Sequence, residues 1–419
     1  MIDITQSEPD FYKEFSCIGD KCRNNCCQHQ WAIAIDKKTY KQYKNLKNPK
    51  NMAERFRSGT IKRNDNPQND GDYAFLTQVP DSEKPWKVKC VFQQDSGLCE
   101  IQANLGHDFL CKTCRVYPRM SVVISDKKTV ERGLSLSCEA VVKMFLDKKD
   151  PIIFESSVVH CNKNQSAEIF NNSNSVIELK SQGLGEYYFY LKAIGIAILQ
   201  NRDYSVENRL IHLACFLKNI DKETQSPEFN IESFCEGFVA AIENKQYDGL
   251  LETKPQYALQ METDFELLDE MTIENILNKD IMDVINGNIL KITQAKLEDG
   301  TQEKVYIEYI KNYNEFMKDK ENLMENILVN EFHNMAMPIS CKTAMEGGVA
   351  LFGYFQMIRF LIATYLGERK EISEQELIDL IAYFGKTILH KTKRNAIVDS
   401  FFNKNNMDDL AHTILLIKS

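Results

Sequence analysis

Long apolar runs, clustered histidines and positive charge are all scarce in this chain, and each scarcity excludes something. No stretch approaches the ~18 consecutive apolar residues of a membrane-crossing helix, so no membrane span is expected. The opening MIDITQSEPDFYKEF places three acids ahead of the first base and has no apolar segment of the kind a secretory leader carries, so the chain reads as cytoplasmic. A net charge of −9 argues against nucleic acid as the main partner. No glycine-rich phosphate loop, Gly-x-Ser-x-Gly elbow or His-Glu-x-x-His pair occurs, which removes the commonest nucleotide, hydrolase and metalloprotease signatures. Gly183-Leu-Gly185 precedes a helical pattern without a clear strand before it and reads as a turn. The seven histidines are scattered, and only His29 lies beside a block of metal-binding residue types.

What is present is an ordinary globular composition over 419 residues, enough for two to three domains, with 43% apolar and 26% charged residues. The charge is unevenly placed. Residues 1–150 carry 25 Lys and Arg against 20 Asp and Glu, whereas the remainder carries 26 against 40. The asymmetry reads either as compositional drift or as a mildly basic first part suited to an anionic ligand.

Cysteine is the informative residue. Nine of the 13 fall in the first third, and eight of these form two blocks: Cys17, Cys22, Cys26 and Cys27, then Cys90, Cys99, Cys111 and Cys114. Cys138 lies outside both blocks, while Cys161, Cys215, Cys235 and Cys341 are dispersed, with Cys215 and Cys235 in helical apolar contexts that suit inert buried thiols. A disulfide framework belongs to short secreted chains, so clustered thiols here point to metal. Tetrathiolate sites suit zinc and iron–sulfur clusters alike. Only one Cys-x-x-Cys pair is present, Cys111 to Cys114, and the adjacent Cys26 and Cys27 fit poorly around one small ion. The spacing therefore favours a cluster, or two nearby sites, over a single ribbon zinc. Because one four-iron cluster takes four thiolates, the eight cannot all serve it.

The pattern predicts an α+β fold, with a Cys-rich module of short strands over residues 1–150 followed by a mostly α-helical domain over 177–419. The first 30 residues read as irregular. Trp31–Asp36 reads as a strand, Asp36 caps a helix over 37–47, and residues 48–72 include a long loop. Tyr73–Val79 and Trp86–Phe92 read as strands, Cys99–Leu105 as a short helix, and Met120–Ser125 with Thr129–Ser137 as a hairpin around Asp126-Lys-Lys. Residues 161–176 read as a linker. Apolar residues then recur at helical spacing over 186–201, 207–219, 231–245, 264–288, 302–334, 345–367 and 373–391.

The run Phe15-Ser-Cys17-Ile-Gly-Asp-Lys-Cys22-Arg-Asn-Asn-Cys26-Cys27-Gln-His-Gln-Trp31-Ala-Ile-Ala-Ile-Asp36-Lys-Lys-Thr39-Tyr40 resembles the opening of the flagellin lysine-N-methylase family. Cys90 through Gly97-Leu-Cys99-Glu-Ile-Gln, and Leu110-Cys111-Lys-Thr-Cys114-Arg115-Val-Tyr117-Pro118-Arg119, resemble its continuation. Glu321–Phe332 and the helix through Tyr354–Leu366 resemble its helical part. Leu389-His390-Lys-Thr-Lys departs from the Arg…Glu-His ending more typical of the late helix, which puts the substrate in question if that segment touches it.

The resemblance implies methyl transfer from S-adenosylmethionine to lysine ε-amines of flagellin, and an iron–sulfur cluster bound by the N-terminal cysteines. On that reading the metal ligands come from Cys17, Cys22, Cys26, Cys27, Cys90, Cys99, Cys111 and Cys114, with a four-iron cluster expected and zinc as the alternative. Arg115 and Arg119, flanking Tyr117, are the candidates for gripping the donor's carboxylate, since a guanidinium binds that group bidentately; balancing thiolate charge is the plainer role. Trp31 suits either a core position or a platform for adenine. The usual radical Cys-x3-Cys-x2-Cys triplet is absent, so polar and radical transfer both stay open. The competing function is a non-enzymatic metal-binding or electron-relay protein whose helical domain docks partners.

Overall fold

The computed structural model describes residues 1–23, 25–28, 32–67, 69–80, 88–124, 129–162, 169, 175–177, 184–271, 279–295, 301–389, 402, 405, 407 and 409–419. The fold class is α+β, as the pattern predicts. The chain divides into two compact units, and the division differs from a cut near residue 150. The smaller unit is Phe15–Met120 with Cys138–Ala140; the larger is Met1–Glu14, Ser121–Ser137 and Val141–Ser419. The reason lies in strand pairing, because the opening residues belong to the sheet of the larger unit.

That opening is strand β1 (Ile2–Pro9). The chain then enters the smaller unit, with β2 (Ala34–Ile35), α1 (Lys37–Asn45), α2 (Lys50–Arg57), β3 (Ile61–Arg63), β4 (Ala74–Leu76), β5 (Gln78–Pro80), β6 (Val88–Cys90), α3 (Glu100–Leu105) and α4 (Lys112–Val116). α1 starts at the predicted cap, where Asp36 Oδ1 accepts from the Thr39 amide at 2.8 Å. α2 corrects the expected loop: Met52, Ala53 and Phe56 are buried on one face, so packing overrides the polar composition around them. The strand expected over Tyr73–Val79 is two short strands, and the one expected over Trp86–Phe92 is described only as β6. β2, β4 and β3 form an antiparallel sheet, and β5 pairs with β6. At the centre Tyr43 stacks on Phe56 with ring centroids 4.1 Å apart, and its hydroxyl donates to the Phe109 carbonyl at 2.5 Å.

The larger unit resumes with β7 (Arg119–Ile124), β8 (Thr129–Leu134), α5 (Glu139–Asp147), β9 (Phe154–Cys161) and β10 (Ser175–Ile177). Its sheet has the order β10-β7-β8-β1-β9, so the two strands of the expected hairpin are neighbours; their turn lies outside the described residues. β1 replaces the irregular opening that the sequence predicts, and its partners explain the difference: it runs parallel to β8, with Thr5 opposite Thr129, and antiparallel to β9, with Ile2 opposite Cys161. Pairings this distant in sequence leave no local hairpin signal. Most of the 161–176 segment, read as a linker, lies outside the described residues.

Eleven described helices follow: α6 (Tyr188–Leu199), α7 (Val206–Glu223), α8 (Ile231–Glu243), α9 (Asp248–Leu251), α10 (Tyr257–Met271), α11 (Lys279–Ala295), α12 (Gln302–Met317), α13 (Glu321–Asn334), α14 (Ala344–Leu366), α15 (Glu374–Leu389) and α16 (Leu410–Ile417). The predicted helical stretches are all present, with two refinements: 264–288 spans parts of α10 and α11, and 302–334 is α12 and α13 joined by a single tight turn at Lys318–Lys320. α14 is long and apolar enough to cross a membrane, with a mean hydropathy of 1.5, but it is wholly buried among its neighbours as a core helix. Its Arg359 is fully buried and donates to the carbonyls of Ile417 and Leu416 at 2.6 and 2.7 Å, capping the end of α16.

Two buried polar devices tie sheet to helices within this unit. Asn322, Asn326, Asn330 and Asn334 recur every fourth residue along α13, which places them on one face. Asn326 donates to the carbonyls of Phe145 and Lys148 at the end of α5, both at 2.9 Å, while Asn330 and Asn334 donate to Leu134 at the end of β8. The second device is ionic: Lys192 on α6 meets Glu131 on β8 at 2.7 Å and Ser7 Oγ on β1 at 3.2 Å, all three buried. His333 Nε2 donates to the Arg132 carbonyl at 2.8 Å beside them, and burial holds its imidazole down near 4, hence neutral at pH 7.

Candidate cofactor and metal site

The smaller unit brings the two cysteine blocks together, and backbone bonds show how. The Cys90 amide donates to the Cys27 carbonyl at 2.7 Å, which seats the end of the first block on β6. Asn25 bridges further: its Oδ1 accepts from the Cys27 amide, and its Nδ2 donates to the Gly97 carbonyl, both at 2.9 Å. Gly97 itself has φ of +84°, a conformation that favours glycine in the turn leading to Cys99. Cys99 and Cys111 stand at the N-terminal caps of α3 and α4, where the amides of Ile101 and Gln102, and of Thr113 and Cys114, favour the ionised sulfur against its burial.

These thiols feel one another. Cys90 and Cys111 are buried in the core of the unit, and Cys27, Cys99 and Cys114 pack against the same cluster of side chains. Burial pushes Cys90 up to about 12 and raises Cys99. Cys27 is raised by its hydrogen bond with Cys26 and by burial, and Cys114 by its hydrogen bond with Cys111 and by burial. Cys111 goes the other way, lowered chiefly because Cys114 hydrogen-bonds to it. The pattern is that of anionic sulfur competing for one small volume, where ionising one thiol makes the next harder to ionise.

A cavity of 370 Å³ opens beside this group, lined by Cys17, Cys22, Cys26, Cys27, Cys99 and Cys114 among others. Cys90 and Cys111 do not line it. Cys138 does, together with Glu139, whose Oε2 accepts from the Cys22 thiol at 3.4 Å. Sequence reasoning missed Cys138 because it falls outside both spaced blocks and rejoins them only after β7 and β8. Among the described residues no three His, Cys, Asp or Glu side chains are drawn together tightly enough to hold a metal ion as they stand. The donor set nevertheless fits a thiolate-bound group in kind: soft sulfur from both blocks, in one partly buried volume, with cationic residues at its edge.

Those cations include both arginines singled out from the sequence. Arg115 lines the cavity, is exposed, and has no hydrogen-bond or ion-pair partner among the described residues. Arg119 lines it too but is partly committed, donating to the Phe15 carbonyl at 3.0 Å and lying over the Phe15 ring at 5.1 Å. Tyr117 and Pro118 add an aromatic and an apolar wall. Trp31, His29 and His390 lie outside the described residues. Cys215, as expected of an inert thiol, is buried, which pushes it up to about 12.

Known proteins share parts of this chain. A Salmonella typhimurium lysine-N-methylase is 27% identical over 179 residues, covering 43% of this chain and 42% of that protein. A lysine-N-methylase of Salmonella choleraesuis is 29% identical over 187 residues with the same coverage, so the chain spans about two fifths of the length of these relatives. A Salmonella muenchen protein named flagellar biosynthetic protein FliU is 29% identical over 150 residues, 36% of this chain and 82% of that one. No solved structure matches. Residues 192–416 match the FliB lysine N-methylase C-terminal domain, a stretch that holds both helical segments of the sequence resemblance and none of the two cysteine blocks. That match covers more than half of the chain, which therefore belongs to the FliB lysine N-methylase family.

Proposed function

We propose that the chain is a cytoplasmic protein-lysine N-methylase that transfers methyl from S-adenosylmethionine to lysine ε-amines of flagellin, with an iron–sulfur cluster held by thiolates of the smaller unit. Family membership supports the lysine-methylase part, and the flagellar name of one relative supports the choice of substrate. The observation that carries the cofactor part is the 370 Å³ cavity in which both cysteine blocks and the unpartnered Arg115 meet. Its volume falls in the range of small-molecule sites, ~300–1,000 Å³, and so accommodates a nucleoside-sized donor.

The cluster's ligands are drawn from Cys17, Cys22, Cys26, Cys27, Cys90, Cys99, Cys111 and Cys114, four of them for a four-iron cluster. When bound, such a cluster supplies an anchoring iron or an electron. Arg115 grips the donor's carboxylate, Tyr117 with Pro118 shields its apolar body from water, and Arg119, held by Phe15, shapes the rim. A lysine with a pKa of ~10.4 is almost wholly charged at pH 7, so it must shed a proton before its nitrogen can accept a methyl cation. The apolar walls of Phe15, Tyr117 and Pro118 favour the uncharged amine by desolvation, with its proton released to water, and this is the contribution the chain makes to that step.

The test is iron, zinc and acid-labile sulfide analysis of protein purified without oxygen, followed by turnover of labelled S-adenosylmethionine with flagellin. Iron and sulfide in equal amounts, with label on lysine, is the expected result. Arg115→Ala should raise the KM for the donor at unchanged iron content. Zinc without sulfide, and no labelled lysine, would replace this reading with a non-enzymatic metal-binding or electron-relay protein.

A further inference from the structure

A third segment of chain reaches the thiol-lined cavity, and packing puts it there. Ser137 before it and Val141 after it belong to the larger unit, yet Cys138, Glu139 and Ala140 cluster with the smaller one. All three line the 370 Å³ cavity, and Glu139 Oε2 accepts from the Cys22 thiol at 3.4 Å, which ties the segment to the first cysteine block. Cys138 also repeats the local setting of Cys99 and Cys111, the residue directly ahead of a helix, here α5.

The surroundings of Cys138 differ from those of an inert thiol. Cys215 is packed into a helix interior among apolar side chains, where a cysteine acts as a small hydrophobe. Cys138 is half-buried, on a wall shared with six thiols of the two spaced blocks and with Arg115 and Arg119. Cys90 and Cys111, sealed in the core, have no part in that wall. The sulfurs stand around a volume and not on a point, since among the described residues no three ligand groups are close enough to hold a single ion. A metal group with volume of its own, as an iron–sulfur cluster has, suits such a wall better than one small cation.

We propose that Cys138 is a ligand of the metal group, so that three segments of chain, not two, deliver its thiolates. The proposal rests on the reading that the smaller unit holds a thiolate-bound metal group.

The test alkylates the full chain, purified without oxygen, with iodoacetamide before and after a chelator strips its metal, and reads each cysteine by mass spectrometry. Cys138 should be protected in the loaded chain and modified once the metal is gone, while Cys161, buried in the larger unit, stays protected in both. Cys138→Ser, nearly the same size, should lose most of its iron and sulfide, or its zinc, with helical content unchanged by circular dichroism. Whatever metal it keeps should be held at least about tenfold more weakly, since losing even an outer-shell partner costs that much affinity. Equal alkylation of Cys138 before and after stripping, full metal in Cys138→Ser, or metal lost together with helical content would overturn the assignment. A wild-type chain with neither iron nor zinc would overturn this ligand and the cofactor reading together. Metal held through Cys138, with no label passed from S-adenosylmethionine to flagellin, would overturn the methylase reading alone and leave this ligand in place.

Discussion

The two units reach order by different means. The smaller one is built from strands of two or three residues and helices of nine or fewer, and its core places Cys90 and Cys111 among Phe56, Phe92 and Ile101. Ladders so short are marginal by themselves. The larger one has an eight-residue strand paired on both edges, a buried 23-residue helix, and side chains such as Asn326 and Lys192 that saturate buried backbone and charge. The contrast teaches that the first unit leaves its most reactive groups in its interior, whereas the second spends its buried polar groups on holding itself together.

The sharpest way to break that contrast is Cys114→Ser, at a thiol that lines the cavity. It should empty the smaller unit of iron and sulfide and speed amide exchange across residues 15–120, with exchange in α12 to α15 unchanged. Loosening of both units together would show that they do not differ in this way. Next in size is Lys192→Met, which leaves the Glu131 carboxylate buried without its cation; it should destabilise the larger unit by about 3–5 kcal/mol in denaturant, and Glu131→Gln added to it should recover much of the loss.

A pH pair sharpens the picture further. Burial pushes Asp264, to which Tyr306 donates at 2.7 Å, up to about 7, so its folded form holds a proton that the unfolded chain releases near 4. Its contribution is complete below pH ~4 and lost as pH rises to about 7. His333, held down near 4, acts oppositely: its contribution is present above ~6.5 and lost as pH falls to about 4. The Asp264 contribution is worth about 4 kcal/mol and that of His333 about 3 kcal/mol over their windows, so in wild type they largely cancel. Asp264→Asn should therefore reveal stability that rises from pH 4 to 6.5, and His333→Gln should reveal stability that falls from pH 4 to 7. Smallest is Asp36→Ala, which removes the α1 cap and should cost about 1 kcal/mol, confined to exchange in the smaller unit.

Local signals were legible in the sequence and distant ones were not. Asp36 beside Thr39 announced α1, and the recurring apolar residues of α7 and α14 announced the helical unit. The spacing of the two cysteine blocks pointed to metal, and the fold sets six of the eight thiols around one cavity, with Cys90 and Cys111 in the core of the same unit. α2 escaped because three apolar residues in a polar stretch make a weak stripe, and α16 because eight residues give little periodicity. Cys138 became visible only through the fold: it gains its place in the cavity lining from segments far away in sequence. The four asparagines of α13 stand at plain intervals of four, but nothing in that spacing names the carbonyls of Leu134 and Phe145 as their targets.

β1 precedes the smaller unit in the chain, yet its neighbours in the sheet are residues 129–131 and 154–161. The strand must therefore wait unpaired while the whole thiol-bearing unit emerges behind it. Domains ordinarily order as they leave the ribosome, and pairings that close long loops come late. The smaller unit thus has an interval in which to gather its thiols before the sheet locks, and a strand made ahead of that unit is paired only behind it.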